Sequence, residues 1–161
     1  MKKILLGLIA TVMFSFAGNA QSKEEIENVR LKLATTMSMI VEDCQPTFKK
    51  GMTYNDFLNT VVLGGTKNST LKTVSANNLY KKAYSYLNNG TNASDIIAKD
   101  KGTEVADVFY LINKSASLEE GVSEVFGNDY SKAQWPPKWL SWIWNHRDEI
   151  IEVICMFANW C

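Results

Sequence analysis

Histidine occurs once in this chain of 161 residues, and cysteine and proline three times each. A single histidine, His146, excludes a multi-histidine metal site, and three cysteines show no zinc spacing. An odd cysteine count also excludes a fully paired disulfide framework within one chain. There is no phosphate-cradling glycine loop and no G-x-S-x-G nucleophile turn. No segment alternates polar and apolar residues over a strand's length. No long repeat, low-complexity tract or domain-splitting linker interrupts the chain. Charge of one sign is missing as well, since 17 basic residues balance 17 acidic ones.

What is there begins at the N-terminus. Lys2 and Lys3 precede the uncharged run Ile4 to Ala17, and the small residues Gly18 and Ala20 frame Asn19. That is the three-part pattern of a secretory signal peptide. The apolar run falls short of the roughly 20 residues that a comfortable membrane span requires. Cleavage is expected after Ala20, with a secreted or periplasmic destination and a single all-α domain over residues 21–161. No cysteine follows the run, which speaks against a lipid anchor. Loss of both signal lysines leaves 15 basic against 17 acidic residues. That balance offers no electrostatic footprint for nucleic acid or anionic lipid. Export also places the cysteines where disulfides persist.

All five tryptophans lie in the last stretch, Trp135 to Cys161. Pro136 and Pro137 suit the position just before a helix. On a wheel of about 100° per residue, Ser141, Asn145, Asp148, Glu149, Glu152, Met156 and Asn159 form a polar arc. Trp139, Ile143, Ile150, Val153, Ile154 and Phe157 lie opposite, flanked by Leu140, Trp142, Trp144, Ile151, Cys155, Ala158 and Trp160. More than half of such a helix is apolar, so it needs protein, lipid or a partner around it.

The preceding chain reads as short amphipathic helices. Ser22 to Glu25 is a capping box opening a helix over 23–44, with Ile26, Val29, Leu33, Met37, Ile40, Val41 and Cys44 at helical spacing. Pro46 stops it. Thr53 to Asp56 caps a second helix carrying Tyr54, Phe57, Leu58, Val61 and Val62, ended by Gly64 and Gly65. Ser75 caps a third, which carries Leu79, Tyr80, Ala83, Tyr84 and Leu87 and closes at Gly90. A short fourth follows Ser94, and Thr103 caps a fifth beyond Gly102. Ser117 to Glu120 is a second capping box, opening a sixth helix that ends at Gly127. Asn128 to Gln134 reads as a lead-in to the terminal helix.

The candidate constellations are few. Ala98, Gly102, Val108 and Leu111 resemble a DNA-binding helix-turn-helix over about 18 residues, a pattern that any tight helical hairpin also needs. A DNA reader wants basic or amide groups on its second helix, and Glu104 and Asp107 stand there instead. Cys44, Cys155 and Cys161 are the disulfide candidates. Two cysteines six residues apart in one helix are separated by about 9 Å along its axis. A bridge wants less than about 7 Å. A Cys155–Cys161 bridge therefore needs the helix to end early, and a bridge from Cys44 needs the first and last helices to meet. The latter is slightly favoured. Trp135, Trp139, Trp142 and Trp144 form a candidate interaction surface, and His146 and Arg147 a candidate buried ionisable pair. The acid pairs Asp148/Glu152 and Glu120/Glu124 read as exposed helix faces. The N-x-S/T triplets at Asn68, Asn89, Asn92 and Asn113 matter only where the source glycosylates them.

The expected fold is an all-α, compact single-domain bundle of about six to seven helices around an apolar C-terminal helix. The expected function is binding or interaction rather than catalysis. An unknown protein partner or a second copy of the chain is the expected partner, with no nucleic acid and no cofactor implied. Two alternatives stay open. One is a membrane-active, bacteriocin-like toxin working through the Trp-rich terminus. The other is a cysteine-dependent enzyme.

Overall fold

The computed structural model describes residues 20–65, 70–134 and 137–158. Residues 1–19 of the expected signal peptide, and also Asn68, Trp135, Pro136, Trp160 and Cys161, lie outside the described residues. Among the described residues every regular element is helical and there is no strand. None of their helices is long and apolar enough to cross a membrane.

Helix α1, Ala20–Cys44, is unbroken over 25 residues. It contains neither glycine nor proline, and Pro46 lies just beyond its end. It is already running at Ala20, so Ser22 lies inside it rather than at its cap. Ile26, Val29, Leu33, Met37, Ile40, Val41 and Cys44 are all buried, as their spacing predicts. Helix α2, Tyr54–Phe57, is capped by the Thr53 hydroxyl, which accepts from the Asp56 N–H. It passes into a π-helical turn, Leu58–Val62. The Leu63 N–H donates to the Leu58 carbonyl at 2.9 Å. This wider turn brings Phe57, Leu58, Val61, Val62 and Leu63 into the core together.

Helix α3, Val74–Asn89, is capped by Thr73 and ends at Gly90, which has a left-handed φ of 62°. Its last carbonyls, Leu87 and Tyr86, accept from the Gly90 and Thr91 N–H groups. Asn92 caps α4, Ala93–Lys99. Helix α5, Thr103–Asn113, starts after Gly102. Ser117 caps α6, Leu118–Phe126. The next stretch, read as a lead-in to the terminal helix, is a helix of its own, α7, Asn128–Gln134. The terminal stretch forms α8, Lys138–Asn145, and α9, Arg147–Ala158.

Helix α1, not the C-terminus, is the axis of the bundle. It packs against α3, α4, α5, α8 and α9. The expected single terminal helix is two helices, broken at His146. In an unbroken helix the His146 N–H would bond the Trp142 carbonyl. Here that N–H donates to the Ile143 carbonyl, and the imidazole Nδ1 meets the Trp142 carbonyl at 2.7 Å. A carbonyl only accepts, so Nδ1 carries the proton. The wheel still holds for the described side chains. Trp139, Leu140, Ile143, Ile150, Val153 and Ile154 are buried, while Ser141, Asn145, Asp148, Glu149 and Glu152 are exposed.

An aromatic cluster joins the later helices. Phe57 lies 5.4 Å from Tyr84, and Phe126 stacks on Tyr130 at 4.4 Å and 18°. Phe126 also meets Trp139 edge-on at 6.0 Å. The hydroxyls of Tyr80 and Tyr130 share a buried hydrogen bond of 2.8 Å.

Cys44 is a free, buried thiol, which corrects the favoured bridge from that residue. The first and last helices do meet, but antiparallel. Glu149 accepts from Asn28 and Lys32, and Glu152 and Val153 share a cleft with Glu25 and Asn28. Cys155 therefore approaches the N-terminal end of α1, roughly 25–30 Å of helix away from Cys44. Cys155 is itself disulfide-bonded, and Cys161 lies outside the described residues.

Candidate functional site

The residues singled out on the terminal helices do not form one surface. Trp139 is only 2% exposed and belongs to the core. Trp142 and Trp144 are half-buried and border the apolar face on its two sides. The Trp142 ring lies against the His146 ring at 4.3 Å. Trp144 carries the Arg147 guanidinium 5.1 Å over its ring. Neither His146 nor Arg147 is buried, and they are not paired with each other. The break between α8 and α9 turns both toward the rim. There they bond carbonyls left open at the end of α8, with Arg147 Nη1 donating to Trp144 O at 3.3 Å. Asp148 is a loose partner for Arg147 at 3.6 Å.

The hairpin between α4 and α5 is built more tightly. Gly102 has φ 74°, and a Cβ there would sit 2.4 Å from Cβ of Leu33. Only glycine fits both demands. Arg30 of α1 donates from Nη1 to the carbonyls of Ile97 and Asp100, at 3.0 and 2.8 Å, and so satisfies the open end of α4. Glu27 fixes the guanidinium at 2.7 Å. The Asp100 carboxylate is buried, and it accepts from the Gly102 N–H at 2.7 Å and from the Tyr86 hydroxyl at 2.6 Å. Burial and that carboxylate push the Tyr86 hydroxyl well above its ordinary range. These contacts fix α5 against α1 and α3.

With α5 so placed, an open groove of about 380 Å³ lies between it and α3. Asn78, Lys81, Lys82 and Ser85 form one wall, and Thr103, Glu104 and Asp107 the other. Asp107 is only 7% exposed. Burial, with the Glu104 charge beside it, raises its carboxyl from 3.8 to about 7. No hydrogen bond or ion pair among the described residues stabilises its charged form. Lys82 approaches Glu104 at 3.8 Å. A carboxyl with a strongly raised pKa in a cleft is a mark of functional sites. In the sequence, Glu104 and Asp107 stand out only as residues that phosphates would repel. Nothing in one dimension sets them opposite Lys81 and Lys82, more than twenty residues away.

The other sequence candidates assemble no site. Burial pushes the Cys44 thiol up to about 12. Glu120 accepts from the Ala116 N–H and Glu124 from the Ser115 hydroxyl, so both serve the start of α6. Asn92 caps α4. Comparison with protein-family models, with curated proteins and with solved structures finds no match.

Proposed function

We propose that this is an exported helical protein that acts by binding rather than by catalysis, and that the groove between α3 and α5 receives its ligand. The observation that carries the reading is Asp107, a largely buried residue whose carboxyl lines an open polar cleft and makes no hydrogen bond or ion pair among the described residues. Burying such a group is unfavourable unless something bonds it. A screen of the full mature chain against a small-fragment library, followed by amide NMR, tests the reading. Saturable shifts at 78–85 and 103–107 are the expected result. Hits confined to other surfaces, or no saturable hit at all, would sink it.

The pattern from Lys2 to Ala20 supports export. A disulfide at Cys155 fits an oxidising compartment. With Cys44 free, the pairing we propose is Cys155–Cys161, and a disulfide map of the secreted protein checks it. The thiolate of Cys44 is scarce at neutral pH, which weighs against cysteine-dependent catalysis. The inward-facing apolar side of α8 and α9 weighs against a membrane-active tail.

A second reading rests on Trp142 and Trp144. Both are partly exposed beside His146 and Arg147, and tryptophan and arginine are enriched at the energetic centres of protein interfaces. A protein partner or a second copy would then dock on the side of α8 that carries Trp144 and Arg147. Size-exclusion chromatography with mass determination, with and without reductant, tests the homo-oligomer arm. A monomer in both conditions removes it.

A further inference from the structure

We propose that the α3–α5 groove takes a small dipolar ligand, one bearing both an ammonium and a carboxylate. The ammonium would face Asp107 and Glu104, and the carboxylate would face Lys81 and Lys82. This rests on the reading that the groove is the ligand site.

The two walls carry opposite charge. The acids stand three residues apart on one face of α5, and the lysines are adjacent on α3. Lys81 Nζ lies 5.7 Å over Tyr54, and Lys82 Nζ lies 5.7 Å over Tyr86. Lys81 makes no ion pair among the described residues, and Lys82 only the long one to Glu104. A plain cation would meet both lysines, and a plain anion both acids. A dipolar molecule satisfies both walls. Asn78, Ser85 and Thr103 add neutral hydrogen-bonding groups, and about 380 Å³ admits a molecule of amino-acid size.

The unpartnered carboxyl predicts a proton linkage. Lys81 and Lys82 on α3 and Glu104 on its own helix are the charged groups that share the groove with it. Helices α1 and α6, packed against other faces of α5, add none to the lining. An arriving ammonium displaces the proton that Asp107 keeps when the groove is empty. Affinity therefore rises with pH up to about 7 and levels off above it, approaching tenfold per unit well below that point.

The test is an NMR titration of the full mature chain at pH 8 and pH 6. The probes are β-alanine and 4-aminobutyrate, with propylamine and butyrate as single-charge controls. Expected are saturable shifts at 78–85 and 103–107 with a dipolar probe, binding at least fivefold tighter at pH 8, and controls at least tenfold weaker. Asp107→Asn should abolish binding and its pH dependence. Lys81→Met, on an exposed side chain, should weaken it several-fold while leaving the melting temperature unchanged. If propylamine or butyrate binds as well as the dipolar probes, the ligand class is wrong and the groove stands. If no probe moves these amides although library fragments do, the class is again wrong. If neither does, the class and the groove reading fall together.

Discussion

Helix α1 and the terminal pair α8–α9 contribute comparable stripes of buried apolar residues, yet only α1 is central. The terminal pair presents one apolar side and keeps a polar one in water. Helix α1 is touched from more directions, and the polar residues it buries are small. Thr36 and Ser38 are buried, and the Thr36 hydroxyl donates to the Lys32 carbonyl one turn back. Density of tryptophan is therefore a poor guide to which helix others surround. Tolerance of close approach on several sides is a better one.

Gly102→Val should break the arrangement most severely. The branched side chain would meet Leu33 and would be strained at φ 74°. A loss of about 4 kcal/mol, read as a lowered urea midpoint, is expected. A loss under about 1 kcal/mol would mean that α1 and the α4–α5 turn are not in contact. Next come Leu33→Ala and Ile150→Ala, both fully buried. Truncations of this kind cost about 2–5 kcal/mol. The α1 variant should exceed the α9 variant by about 1 kcal/mol, because Leu33 also packs under Gly102. Equal losses would return the terminal helices to equal standing.

A third measurement follows stability against pH. Folding raises the Asp107 carboxyl from 3.8 to about 7. Between those values the folded chain holds a proton that the unfolded chain has released. This group's contribution to stability therefore falls as pH rises from about 4 to about 7, then stays level. Asp107→Asn should match the parent near pH 4 and exceed it by about 2 kcal/mol at pH 8. A difference independent of pH would remove the raised carboxyl. The smallest effect is expected at the terminal break. His146→Ala frees the Trp142 carbonyl, which the backbone N–H can then take. A change under about 1 kcal/mol should accompany an altered tryptophan emission. A larger loss would show that the break is held by more than the imidazole.

Much of the helical outline was legible in the sequence, because caps and glycines act locally. Thr53, Ser117, Gly90 and Gly127 end or start helices as their chemistry predicts. Helix α7 was not legible, since Tyr130 is its only large apolar residue and no stripe forms. The π turn was missed because its apolar residues fit an ordinary helix equally well. The break at His146 needs neither glycine nor proline, only a ring nitrogen within reach of a carbonyl. Asp107 was invisible as a site because its isolation is a property of three dimensions. The same holds for Cys44, whose distance from Cys155 depends on the direction in which α9 runs.

Tyr80 and Tyr130 share a single buried hydrogen bond. Substituting phenylalanine at either position strands the other phenol. Over generations, then, the two positions should drift together, and any relative that lacks one phenol should have rewritten the other as well.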